Sequence, residues 1–111
     1  MSDKNTPFEG AEKESIFVVI EQDGVELSRA RLLGEVTVGR GKSCDIRLMS
    51  NALARAHARV FYSQGRLIVV DLDTTNGTFA DGRRITLPTI IGEKSHVQLG
   101  DYALKIVRKE R

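Results

Sequence analysis

Residues 39–57 read GRGKSCDIRLMSNALARAH. The polar–apolar alternation that runs up to Val38 breaks at this point, and small, polar and basic residues crowd together. Between Gly39 and Arg59 the charged residues are Arg40, Lys42, Asp45, Arg47, Arg55 and Arg59, one acid among five bases, in a chain whose formal net charge is only +2. A local excess of this kind points to an anionic partner, held by whatever framework the flanking residues build.

That framework reads as strands on both sides. Glu35-Val36-Thr37-Val38 alternates with a period of two, so Val36 and Val38 face a core, and Gly39 stops the strand. Asp45–Leu48 resumes the alternation, and His57–Tyr62 places Ala58, Val60 and Tyr62 on one face. Upstream, Ile16–Ile20 and Val25–Leu33 flank Asp23-Gly24, a strong hairpin dipeptide. Downstream, Gln64-Gly65 turns the chain into Arg66–Leu72, the most apolar strand, expected to be central with both faces buried. Asp73–Gly77 and Asp81-Gly82 are dense turn signals around a short strand Thr78–Ala80, and Arg84–Leu87, Ser95–Leu99 and Tyr102–Val107 complete the set. Only Ala52–Ala58 hints at a helix, too short to persist without tertiary support. Short strands at close spacing with almost no helix predict an all-β sandwich whose functional groups gather on loops at one end. Three loops carry candidates: Gly39–Cys44, Met49–Ala56 and Asp73–Gly77.

The 111 residues suit one domain. Residues 1–14 are polar and contain Pro7 and Gly10, which reads as a flexible tail, leaving 15–111 as the folded unit. Aromatics are few, and Phe17, Phe61, Phe79, Tyr62 and Tyr102 are expected to be the larger pieces of a core otherwise built from Val, Ile, Leu and Ala. The single Cys44 has no partner for a disulfide, and with two histidines in the chain no zinc cluster is expected. No apolar run approaches the roughly 20 residues of a membrane span, and the first residues lack the apolar middle of a signal peptide, so a cytoplasmic location is expected. The net charge is too small for a nucleic-acid footprint.

Catalysis finds no signature. A Ser or Cys nucleophile needs a base within hydrogen-bond reach, and His57 and His96 lie in separate strands. Gly41-Lys42-Ser43 resembles the end of a phosphate loop, but the leading glycine would stand at Val36 and no helix follows. No cofactor is expected. A binding module fits better: guanidinium groups (Arg40, Arg55), hydroxyls (Ser43, Ser50, Thr74, Thr75) and carboxamides (Asn51, Asn76) are the groups that suit a phosphate carried on peptide backbone.

Gly39-Arg40, Asp45-Ile46-Arg47-Leu48, Arg55-Ala56-His57-Ala58, Asp71-Leu72, Thr74-Thr75-Asn76-Gly77-Thr78-Phe79 and Asp81-Gly82, in that order, resemble the forkhead-associated (FHA) domain from about Ser15 to Val107. The resemblance implies a β-sandwich of about eleven strands in two sheets that binds phosphothreonine in a partner peptide, as a non-catalytic recruitment module in signal transduction. It implies that Arg40 holds the phosphate and peptide backbone, that Thr75 sits by the phosphate, and that Asn76 grips the backbone beyond it. Arg55 is a further phosphate contact, Ser43 a candidate hydroxyl, and Gly39, His57 and Gly77 support the loops. Lys42, Arg47 and Arg59 read as solvated surface.

The family's serine three residues before the histidine is Ala54 here, which removes one charge-assisted hydrogen bond and is expected to weaken phosphate binding. Ser50 replaces an acid of the preceding loop, and Lys94-Ser95 replaces a Gly-Asp pair. Ala54 motivates an alternative reading, a degenerate FHA domain serving as a phospho-independent scaffold. A regulatory segment of a larger signalling enzyme is a further one. Thr6, in the tail, is a candidate self-ligand.

Overall fold

A computed structural model describes residues 14–110. The expected tail and Thr6 lie outside the described residues, save Glu14, which opens the first strand and pairs with Glu110. Eleven strands follow in order: β1 (Glu14–Gln22), β2 (Val25–Arg31), β3 (Glu35–Gly39), β4 (Ile46–Arg47), β5 (Ala58–Ser63), β6 (Arg66–Asp71), β7 (Phe79–Ala80), β8 (Arg83–Arg84), β9 (Thr89–Ile91), β10 (Val97–Leu99) and β11 (Tyr102–Glu110). They form a six-stranded sheet, β2-β1-β11-β10-β7-β8, and a five-stranded sheet, β4-β3-β5-β6-β9. Among the described residues, only β3 and β4 pair in parallel. No helix among the described residues is long and apolar enough to cross a membrane.

The local turn chemistry sets the registers. Asp23-Gly24, Gln64-Gly65 and Asp81-Gly82 each have two successive positive φ angles, 54° and 81°, 53° and 80°, 51° and 83°. That is the type I′ geometry whose twist matches paired strands. The pairs that close them are Gln22 with Val25, Ser63 with Arg66 and Ala80 with Arg83.

Between the sheets lies an aliphatic core. Val18, Ile20, Val36, Val38, Ile46, Ala58, Val60, Leu67, Val69, Leu99 and Leu104 are buried within it. Of the five aromatics expected there, Tyr102 is buried and Tyr62, partly buried, packs against the core; Phe17, Phe61 and Phe79 are partly exposed. Phe17 alternates with Ile16 and Val18 and so faces outward, where the Arg29 guanidinium lies 5.2 Å above its ring.

Two strand expectations are corrected. β6 is second from the edge, next to the central β5, and only Leu67 and Val69 are buried while Ile68 and Val70 stay half-exposed on the outer face. Arg84–Leu87 pairs only at its start: Ile85 drops into the core with its N–H on Thr78 O (2.9 Å), and Leu87 is exposed. The strand beside β6 is instead Thr89–Ile91, unread because Pro88 breaks the apolar run. The helical hint at Ala52–Ala58 forms no helix: a turn and bends lead into Ala58, the first residue of β5.

The inner and outer faces of β6 predict different costs of truncation. Leu67→Ala should destabilise by about 2–5 kcal/mol and Ile68→Ala by about 1 kcal/mol in urea denaturation. Equal losses would mean that both faces are packed.

Candidate functional site

Four connections converge at one end of the sandwich: β3–β4, β4–β5, β6–β7 and the β10–β11 turn. The β3–β4 connection leaves the sheet without losing its pairing. Arg40 N–H donates to Ala54 O (2.9 Å), Gly41 N–H to Arg55 O (2.9 Å) and Leu48 N–H to Gly39 O (2.8 Å). The β4–β5 loop therefore lies directly against Gly39, where a Cβ would stand 2.4 Å from Arg55 O. Only glycine permits that approach. Cys44 Sγ donates to the same Arg55 carbonyl at 2.9 Å. Arg40 is half-buried, its Nε donating to Leu53 O (3.2 Å), and Arg47 Nε donates to Arg40 O (3.0 Å).

His57 joins this loop to the next. It precedes β5, is completely buried, and its own N–H and C=O are taken by Val38 O and Leu72 N–H. Ala54 N–H, which can only donate, lies 3.0 Å from Nδ1. Nδ1 is therefore the acceptor, and the ring carries its proton on Nε2, which donates to Gly77 O at 2.9 Å. One neutral imidazole thus spans the β4–β5 and β6–β7 loops.

The β6–β7 loop is knotted around Asp71. Its carboxylate accepts from Thr74 N–H (2.9 Å), Thr74 Oγ1 (2.7 Å) and Thr78 Oγ1 (2.7 Å). Thr74 Oγ1 in turn accepts from Gly77 N–H at 3.0 Å. Burial pushes the Asp71 pKa up, but the three hydrogen bonds from Thr74 and Thr78 outweigh it and hold the carboxyl below its ordinary value. Outside the knot, Arg84 Nη2 donates to Thr74 O (2.9 Å) and Thr75 O (3.1 Å), and Asn76 Nδ2 donates to Ala52 O at 2.8 Å.

Two clefts open at these loops, and the bonded pair Asn76 and Ala52 lines the second of them. The first, about 660 Å³, brings together Arg40, Ser43 and Arg55 with Lys42, Arg47, Ser50 and Asn51. Lys42 and Arg47, read as solvated surface, are exposed yet line it. Arg59 lies elsewhere, 3.6 Å from the Glu35 carboxylate. The second cleft, about 550 Å³, holds Asn76 with His96, Gln98 and Asp101. Thr75 is exposed between the loops and lines neither cleft. Asp71 and Arg84 escaped the sequence reading as organisers of the β6–β7 loop. The Asp71-to-Thr74 spacing is a turn signal that points to the first; Arg84 has no local signal.

A two-sheet sandwich with binding-type clefts between stitched loops at one end places the chain in a class of loop-presenting β-sandwich domains. The FHA domain family matches residues 36–100, and the chain belongs to that family. FHA domains are generally non-catalytic phosphothreonine-binding interaction modules. Over 67 residues, 60% of this chain, the sequence is 30% identical to the ABC transporter ATP-binding/permease protein Rv1747 of Mycobacterium tuberculosis. The match spans only 8% of that protein's length. Among solved structures, the FHA domain of CT664 from Chlamydia trachomatis superposes with a TM-score of 0.74 at 21% identity, covering 84% of this chain and 96% of that one. A structure from a structural and functional analysis of phosphothreonine-dependent FHA domain interactions gives 0.72 at 22% identity, covering 83% and 94%.

The two braces make separate predictions. His57→Ala orphans the Ala54 N–H and the Gly77 carbonyl and should cost about 2–5 kcal/mol in urea denaturation. For Asp71, a folded-state pKa below the unfolded one means that its stabilisation is complete at neutral pH and disappears as pH falls below about 4. Asp71→Asn should therefore lose about 1–3 kcal/mol at pH 7. It should also show a shallower fall in stability than the wild type on acidification; parallel pH profiles would exclude the linkage.

Proposed function

We propose that the loop end docks a phosphothreonine-containing segment of a partner protein, as a recruitment module working in the cytoplasm beside a Ser/Thr kinase. The observation that carries this reading is the cleft in which Arg40 and Arg55 meet Ser43. Arg40 offers its terminal amines to the phosphate while its Nε stays on Leu53 O, which fixes the guanidinium plane before any ligand arrives. Asn76 complements it. Its NH₂ group must face the Ala52 carbonyl, so its side-chain oxygen is the group left to accept a peptide N–H beyond the phosphothreonine. Thr75 is exposed next to Asn76 but outside the cationic cleft, so its place beside the phosphate rests on the family pattern alone. Gly39, His57 and Gly77 act through the backbone they position.

Ala54 supports the second reading, a phospho-independent scaffold. A missing charge-assisted hydrogen bond is worth about 1.5–3 kcal/mol, or roughly 10- to 100-fold in affinity. The cleft supplies substitutes: Ser43 is exposed on its wall, and Ser50 lines it while its Oγ accepts from Ala52 N–H at 3.1 Å.

Titration of matched threonine and phosphothreonine peptides separates the two. The phosphothreonine form should bind about 100-fold more tightly, Arg40→Ala should lose about 10-fold or more of that, and Ala54→Ser should gain about 10-fold. Equal binding of the two peptides by a folded wild-type protein would establish the scaffold reading instead.

A further inference from the structure

The charge distribution around the loops narrows the partner further, an inference that rests on the phosphothreonine reading. Arg40, Lys42, Arg47 and Arg55 line the first cleft, and no acidic side chain lies among its lining residues. The acid nearest in sequence is turned away: Asp45 Oδ2 accepts from Thr37 N–H at 2.8 Å, on β3. Arg47 is held at the cleft by its bond to the Arg40 carbonyl. A phosphate monoester carries about −1.5 to −2 charges at neutral pH, enough to balance two of these four cations. The other two line the same opening with no acidic side chain among its lining residues, an arrangement that raises the local concentration of anions and favours a ligand carrying more than one.

The second cleft has the opposite character. Asp101 is the only acid among its lining residues, with His96 and Gln98 beside it and no Lys or Arg. Asn76 and Ala52, bonded to each other, line this second cleft, and Asn51, the residue before Ala52, lines the first. A peptide that placed its phosphate on Arg40 and crossed Asn76 would run from a strongly cationic opening to a weakly anionic one.

We propose that the partner segment is doubly anionic and charge-polarised: a phosphothreonine with a second anionic group on the flank that lies along Lys42 and Arg47, and none on the flank that crosses Asn76 toward Asp101. Lys42 and Arg47 are the specificity-determining residues for that second group. A carboxylate side chain and a second phosphorylated residue share the required chemistry, and peptides distinguish them.

The test titrates the whole chain, at one fixed ionic strength, with phosphothreonine peptides that have neutral flanks, Asp/Glu on the N-terminal flank, Asp/Glu on the C-terminal flank, or a second phosphoresidue on either flank. An anion on one flank should tighten binding about 10-fold over the neutral-flank peptide, and the same anion on the other flank should give no gain. In the Lys42→Gln/Arg47→Gln double variant the gain should fall below about 3-fold, and the carboxylate and phosphate arms show which source is preferred. No gain on either flank, an equal gain on both, or a gain that survives in the double variant overturns the proposal. The neutral-flank peptide against its unphosphorylated form reports on the phosphothreonine reading alone. If that pair differs and the flanks do not, only the second anion fails; if that pair binds equally, the inference falls with the reading.

Discussion

One buried imidazole ties the functional end of this domain together. The β4–β5 and β6–β7 loops have no ladder between them, so their backbone groups must find partners some other way or be left costly and unpaired. His57 provides both kinds at once, an acceptor at Nδ1 for Ala54 N–H and a donor at Nε2 for Gly77 O. Only a neutral ring in one tautomer does this; a doubly protonated ring would point a second N–H at the Ala54 donor. The ring is anchored through its own backbone to β3 and to Leu72, so loop geometry is referred to the rigid sheet and not to solvent.

Around that brace, Asp71 and Asp45 are engaged within the fold, and among the described residues no acid pairs with the bases of the first cleft. Asp71 gathers Thr74 and Thr78, and Asp45 takes the Thr37 N–H. Arg40 is fixed by a carbonyl rather than by a carboxylate, and so is Arg47. Carbonyl partners orient a guanidinium while leaving its charge unneutralised, so the cation remains available to an incoming anion. Ion pairs occur on the sheets instead, between Arg29 and Glu26, Arg59 and Glu35, and Lys105 and Glu21. A cluster of like charges is unfavourable for folding by itself, and local consistency is commonly broken in this way where a protein binds something.

What the sequence makes legible is what is decided over two to five residues. Asp23-Gly24, Gln64-Gly65 and Asp81-Gly82 demand positive φ locally, and all three turns stand where the dipeptides are. The alternation of Val36 and Val38, or of Ala58 and Val60, likewise needs no knowledge of neighbours. Arg84–Leu87 and Thr89–Ile91 differ less in their own residues than in what lies beside them: Ile68 pairs with Ile90, so the edge of the five-stranded sheet is filled by the second segment. The same holds at the loops. Nothing local to Lys42 or Arg47 distinguishes a solvated base from one lining a cleft with Arg40, because the distinction is made by residues 49–56 folding back over Gly39. Arg84 reaches the carbonyls of Thr74 and Thr75 across a hairpin, a contact that no spacing rule announces.

Ala54 shows how far affinity and fold are separable at this site. Its carbonyl accepts from Arg40 N–H and its own N–H donates to His57, so both of its structural contributions are made by backbone. The side chain at this position is partly exposed and bears none of that work. A serine and an alanine therefore present the same loop, and losing the hydroxyl leaves Gly39, His57 and Gly77 in place. The departure from the family pattern is then a change in what the site offers a ligand and not in whether the site forms. On the proposed phosphothreonine reading, one neutral donor gone beside four cations in the opening would shift recognition from hydrogen-bond geometry toward charge. Binding governed by charge is more sensitive to salt and to the ligand's total charge than binding governed by a fixed hydroxyl.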